Sequence, residues 1–351
     1  MFSKSNIVTI ISVIMLAAWA DSSQAQAQTA PKRDMVPVSL EQFPTAETHR
    51  MMQESIDNLD CFGDWGHLRG FTPIDKQFVV RMNRDTLYSG IVLDLTQPAK
   101  ITKPDIGNRY QSVLVINEGN FARAVFYEPG EYELTADEMG SRYVAVIART
   151  LVDAEDPIDL AKAQEAQIGL KVTQKEKGRF EVPNWDTTDL GNIREALKVL
   201  GNYLPNRNTA YGATMEEVEP TAHLIGTADA WGGWNPKNAV YQFNVPHKND
   251  GKTPYKLTLH NVPAGEGGFW SISVYNERGF FEQNEFDKYV ISSGTTEVDE
   301  DGGTTINFGG DPNQPNFLPI MPGWTYVLRI YLPQASYFDG SWNAPDAQLA
   351  E

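Results

Sequence analysis

The chain has 351 residues, with 29 Lys and Arg against 46 Asp and Glu, a formal charge of −17. Such a surface repels a phosphate backbone, which excludes a general nucleic-acid binder. A single Cys excludes an internal disulfide and a multi-cysteine zinc or iron–sulfur centre. The 41% apolar content is enough for a packed core and too low for a membrane protein.

The first 27 residues carry a secretory address. Lys4 supplies a positive charge, Ile7 to Ala18 an apolar run, and Ala25-Gln26-Ala27 the small-x-small pattern of a cleavage site. Cleavage is expected after Ala27, with Ala25 as the second choice; a retained N-terminal anchor is the alternative. The run is about a dozen residues, short of the roughly 20 that a spanning helix needs. No Cys near the cleavage site marks a lipoprotein. A periplasmic or secreted protein without stable membrane insertion after cleavage is therefore expected. Cys61, beside Leu59 and Phe62, is expected as a small buried hydrophobe.

A polar leader precedes a helix from Thr45 to Leu59, capped by Thr45; together they occupy 28–76. Residues 77–157 form a first β unit. Its strands are expected at Gln77 to Met82, Thr86 to Leu95, Gln111 to Asn117, Ala122 to Tyr127 and Arg142 to Arg149, all rich in Val, Ile, Tyr and Phe. A helical connecting region follows over 158–230. It holds a helix from Ile158 to Gly169, a strand within Leu170 to Phe180, and a second helix. In that helix Ile193, Leu197, Leu200 and Leu204 form one apolar stripe, ended by Pro205. A third helix, from Met215 to Leu224, is interrupted by Pro220. A second β unit spans 231–343, before a tail at 344–351. Its strands are expected at Val240 to Val245, Tyr255 to Asn261, Gly268 to Asn276, Lys288 to Ser292, Thr304 to Phe308 and Trp324 to Leu332. Ser271, Ser273 and Tyr275 alternate with Trp270, Ile272 and Val274, the mark of a sheet with unlike faces. Asp299-Glu300-Asp301-Gly302-Gly303 reads as a hairpin turn. There is no strand–helix–strand rhythm. The fold class is mainly β, with two antiparallel sandwich or jelly-roll-like units and a few intervening helices.

Familiar catalytic signatures are missing. There is no Gly-x-Ser-x-Gly elbow, Walker loop, His-Glu-x-x-His or dinucleotide fingerprint. The five His residues (His49, His67, His223, His247, His260) are scattered, so each is expected as a structural or surface group. No metal and no cofactor is expected. The acidic run at 299–301 lacks EF-hand spacing and is a solvated turn.

Three constellations carry more. Asn83-Arg84-Asp85 with Tyr88 sets an amide, a cation, a carboxylate and a phenol at the mouth of a strand, where they can orient a polar ligand or simply pair with one another. Phe269 to Glu277, then Phe280 to Glu285, sets Tyr275, Asn276 and Asn284 beside aromatics and acids, a mixture suited to sugars. Trp270 in that stretch belongs to the core or forms a sugar platform. Arg329, on a central strand, is costly without an acidic partner or an anionic ligand; a structural partner is the expected one, with Asp85 attractive for the role.

At these residues a resemblance emerges. The first β unit, with Asp94 and the strands to Arg149-Thr150, resembles the bacterial family catalogued as domain of unknown function 1254. Ala239 to Tyr331 resembles its usual companion, domain of unknown function 1214, on Gly268 to Asn276, Asn284, Asn316-Phe317-Leu318-Pro319 and Arg329 to Pro333. Phe317 stands where that family often has Trp or Cys. The resemblance implies an exported β-rich protein with a jelly-roll-like C-terminal part. It supplies no reaction and no catalytic residues.

Two functions fit. One is an envelope protein that binds a glycan or small polar ligand between the β units, through Asn83, Arg84, Asp85, Tyr88, Trp270, Tyr275, Asn276, Asn284 and Arg329. The other is a periplasmic hydrolase, with Asp85, Glu277, Glu282 and Glu285 as candidate acid and base. A glycosidase of that kind needs two carboxyls roughly 5–10 Å apart across a cleft.

Overall fold

A computed structural model describes residues 35–77 and 80–350. The expected secretory address at 1–27 lies outside these residues, as do Phe78 and Val79.

The chain opens with α1 (Phe43–Leu59). Pro44 stands in its first turn, where a missing N–H costs nothing, so the helix begins ahead of Thr45 and Gln42 precedes it without a side-chain cap. Then come β1 (Gly66–His67), β2 (Thr86–Asp94), β3 (Ala99–Lys103), β4 (Gln111–Asn117), β5 (Ala122–Phe126), β6 (Gly130–Leu134), the short α2 (Ala136–Met139) and β7 (Tyr143–Leu151). α3 (Pro157–Ile168) leads to β8 (Lys171–Gln174). α4 (Thr187–Leu200) is capped by Asp186, whose carboxylate accepts from the Thr188 and Asp189 N–H groups. It stops at Leu200, which is exposed, and a 3-10 turn (Gly201–Tyr203) follows; the expected stripe is therefore shorter than its sequence spacing. α5 (Pro220–Asp229) begins at Pro220 rather than breaking there.

The first β unit has two layers. One sheet runs β1-β2-β7-β4-β5, the other β6-β3-β8. Ile91, Leu93, Val113, Val115, Val144, Val146 and Ala148 fill the space between them. No strand forms among the described residues of Gln77 to Met82. From Val80 the chain runs as an irregular strap.

The second unit contains β9 (Ala239–Asn244), β10 (Tyr255–Leu259), β11 (Trp270–Tyr275), β12 (Val290–Ser292), β13 (Thr304–Phe308), β14 (Phe317–Leu318), β15 (Thr325–Tyr331), α6 (Ala335–Phe338) and β16 (Gln348–Leu349). They form a sandwich of β12-β11-β15-β9 on β14-β13-β10-β16. Trp270, Ile272, Val274, Leu328 and Ile330 point into it and meet Leu257, Ile306 and Phe308. Trp270 is thus a core side chain and forms no sugar platform. Asp299 and Gly303 close a tight turn, but β12 and β13 lie in different sheets, so the turn joins no hairpin.

Each strand has a second face. On β2, β7 and β4 the outward residues include Tyr88, Arg149 and Ser112; on β11, β15 and β9 they include Ser271, Arg329 and Tyr241. Phe269, Tyr331, Leu114, Ile116 and Tyr110 from both units pack in one apolar cluster, so these outer faces are pressed together. The two sandwiches meet sheet to sheet, and the seam between them is where polar side chains collect.

A polar seam as candidate functional site

Strand register builds the seam as two matching rows. In the first unit Arg149 on β7 is paired with Tyr88 on β2 and with Ser112 on β4. In the second, Arg329 on β15 is paired with Ser271 on β11 and with Tyr241 on β9. Each sheet thus presents a central Arg flanked by a Ser and a Tyr. Arg149 is 8% exposed and Arg329 3%, so both guanidiniums are buried.

The strap at 80–85 runs across the seam. Arg329 donates to the Ser273 hydroxyl at 2.8 Å, the Tyr275 hydroxyl at 2.7 Å and the Arg81 carbonyl at 3.0 Å. Tyr275 donates in turn to the Met82 carbonyl at 2.7 Å. The Asn83 amide donates to the Tyr331 hydroxyl at 2.6 Å, and its oxygen receives the Asp85 N–H at 2.5 Å. Backbone groups that a strand would pair are satisfied here by side chains of the other unit. Arg81 adopts a left-handed φ of 53° to make this path. That is why an apparently strand-like sequence forms no strand.

Asp85 is 1% exposed. Its Oδ2 accepts from the Ser271 hydroxyl at 2.7 Å. Burial raises its pKa, against the opposing pull of Arg329 and the Ser271 bond. Asp85 and Arg329 are electrostatic neighbours without a direct ion pair: the guanidinium's donors go to Ser273, Tyr275 and the Arg81 carbonyl. The expected pairing is therefore corrected to a through-space one, with Ser271 as the direct partner. Burial pushes the Tyr241 hydroxyl up to about 12 although both guanidiniums pull it down, so it is a neutral phenol at ordinary pH.

Arg149 is supported differently. Its guanidinium lies over the Trp234 ring at 4.5 Å and near the Tyr88 ring at 5.3 Å. Its Nη1 has no partner. Unpartnered too are Asp85 Oδ1, Thr86 Oγ1 and Trp234 Nε1, on or beside the seam; the Tyr110 hydroxyl, by contrast, lies within bonding reach of the Ser112 and Tyr127 hydroxyls. An orphaned buried polar atom costs about 1–3 kcal/mol, and clustering of several is uncommon in native proteins.

The other sequence candidates are placed elsewhere. Arg84 packs over Phe71, Tyr289 and Phe281 and donates to the Thr72 carbonyl at 3.0 Å. Asn276 and Asn284 shape the connection after β11: Asn276 Oδ1 accepts from the Arg278 and Phe280 N–H groups, and Asn284 Oδ1 from those of Phe286 and Lys288. Both are committed to turns and do not join the seam. Glu277, Glu282 and Glu285 are exposed on the same connection. A solvated loop accommodates such charges at no cost, and none of the three flanks buried Asp85. Sequence reasoning missed Arg149, Tyr241, Tyr331, Trp234 and the two row serines, Ser112 and Ser271. The rule that singles out Arg329, a cation on a buried strand, applies equally to Arg149.

Two open hollows, of about 550 and 300 Å3, lie beside Arg109 and Trp65 respectively, away from the seam. Among the described residues no three His, Cys, Asp or Glu side chains gather as a metal site. No helix there is long and apolar enough to cross a membrane.

Two family models match the chain in order. Protein of unknown function DUF1254 matches residues 62–174, and protein of unknown function DUF1214 matches residues 244–335. The chain is similar to the VPA0106 protein from Vibrio parahaemolyticus, known from a crystal structure. Identity is 16% and the TM-score 0.68, over 89% of this chain and 98% of that one. An uncharacterized protein from Burkholderia cenocepacia aligns at 12% identity and a TM-score of 0.48, over 88% of this chain and 87% of that one. At such identities the first likeness concerns fold alone, and the second carries no argument. No curated protein matches the chain.

Proposed function

The chain belongs to the family that carries the DUF1254 and DUF1214 regions in tandem, and from that premise we propose that it is an exported envelope protein holding a small polar ligand in the seam between its two β units. The observation that carries this reading is the group of orphaned, buried polar atoms on Asp85, Thr86, Arg149 and Trp234. A fold that leaves so many groups unpaired gains stability when a guest supplies the missing partners. Burial on both sides suits a single small molecule better than a glycan chain. The sequence of residues 1–27 supports export.

The alternative hydrolase reading requires a second carboxyl near Asp85. The exposed positions of Glu277, Glu282 and Glu285 give it no support.

Thermal unfolding of the mature chain with a panel of sugars, sugar acids and amino sugars tests the proposal. Ligand at 100 times Kd adds about 2.7 kcal/mol, which raises Tm by a few degrees. The shift should vanish in Tyr241→Phe or Thr86→Val. A shift that survives both substitutions places the ligand elsewhere and ends the seam reading.

A further inference from the structure

The two seam arginines differ in one decisive respect. Arg329 sits among acceptors from three residues and near the Asp85 charge. Arg149 has an idle Nη1, and among the described residues it belongs to no ion pair. A buried guanidinium remains charged and is costly without an anion. The two row arginines and Asp85 beside them amount to two cations and one carboxylate, so the seam is one negative charge short.

The geometry points to a small hydroxycarboxylate of the sugar-acid class as the seam ligand. This rests on the seam reading above and adds its chemistry. Trp234 and Tyr88 offer rings to the Arg149 guanidinium, 4.5 and 5.3 Å away, while its buried Nη1 keeps N–H groups that no protein acceptor takes up. Those N–H groups match a carboxylate oxygen. The Trp234 indole N–H is idle too, and an indole nitrogen can only donate. Two idle donors on neighbouring side chains, one of them a cation, favour an acceptor with negative charge.

The remaining orphans select hydroxyls. Asp85 Oδ1 accepts when ionised, so a ligand O–H suits it. The Thr86 hydroxyl takes either role and fits a polyol. A ligand cation is disfavoured by both guanidiniums.

Calorimetric titration of the mature chain with D-gluconate and D-glucuronate, against D-glucose and inorganic phosphate, decides the matter. The acids should bind, and glucose at least about tenfold more weakly, the factor expected for one charge-assisted bond. Trp234→Phe keeps the ring and removes the N–H; it should weaken the acids several-fold and leave glucose unchanged. Arg149→Met should abolish acid binding, and if that variant fails to fold, Trp234→Phe carries the test. Equal binding of glucose and glucuronate, lost in Tyr241→Phe, overturns the carboxylate and leaves the seam site standing. Phosphate binding without acid binding also overturns it. Acid binding that is indifferent to Arg149, Trp234 and Tyr241 overturns both readings.

Discussion

Two aspartates bracket β2, and they should respond to pH with opposite sign. Asp94 ends the strand with its side chain 1% exposed. It accepts from Arg142 at 2.7 and 3.0 Å, from the Thr96 N–H at 3.0 Å and from the Arg179 N–H at 3.2 Å. Burial raises its pKa, but these bonds outweigh burial and bring it from 3.8 to about 2. A lowered folded-state pKa means a contribution fully present above pH 3.8 and lost as pH falls through about 2. At about 1.36 kcal/mol per pH unit this amounts to about 2 kcal/mol. Arg142 is 41% exposed, so solvent screening trims the figure toward 1.5. Asp85, immediately before β2, has a raised pKa instead. Its cost is absent below pH 3.8 and grows as pH rises through its folded-state value.

Urea unfolding followed by Trp fluorescence, from pH 2.5 to 7, separates the two. Between pH 7 and 2.5 the advantage of wild type over Asp94→Asn should shrink by about 1–1.5 kcal/mol, the remainder being lost at still lower pH. Wild type measured against Asp85→Asn should gain on acidification. Parallel pH curves for wild type and Asp94→Asn would refute the assignment of the Asp94 bonds as a source of stability. Curves moving in the same direction for both variants would refute the contrast drawn from burial at Asp85.

Further outcomes are expected. Arg329→Met leaves Asp85 buried without its countercharge and should cost about 3–5 kcal/mol in urea unfolding, part of it restored by adding Asp85→Asn. Gly178 has φ +71°, and a Cβ there would lie 2.4 Å from Asp94 Oδ2, so Gly178→Ala should lower stability by about 2 kcal/mol. The Cys61 thiol is fully buried, and burial pushes its pKa up to about 11; a thiol reagent at pH 8 should label it only in denaturant. With a net charge of −17, the chain repels an anion at long range. Added salt should therefore speed glucuronate association, as stopped-flow measurements would show, and slower association in salt would count against an anionic ligand.

Much of the fold is legible because alternation is local. Trp270, Ile272 and Val274 alternate with Ser271, Ser273 and Tyr275 because one face meets the sandwich core and the other the seam. Ala99–Lys103 and Gly130–Leu134 escape a sequence reading because they are short and half polar; each becomes a strand by pairing with the other. Gln77 to Met82 misleads in the opposite direction. Its composition suits a strand, yet the acceptors and donors that fix it belong to Arg329, Tyr275 and Phe281, far along the chain. Asn276 and Asn284 look like ligand groups because amides beside aromatics suit sugars, but an Asx side chain two residues before a free N–H closes a turn just as readily.

The site shows the same limit in terms of charge. A local rule marks Arg329 and Arg149 alike as cations on interior strands, and it is silent on what answers each charge. The tertiary structure answers one of them, with Ser273, Tyr275 and the Arg81 carbonyl around Arg329 and the Asp85 carboxylate nearby. Around Arg149 it supplies ring faces and an unpaired indole N–H, but no acceptor for Nη1. If Arg149 served stability alone, an apolar side chain on β7 would do so at lower cost. Beside it stand three other orphaned groups, on Asp85, Thr86 and Trp234, and this set is what the proposed seam ligand would satisfy.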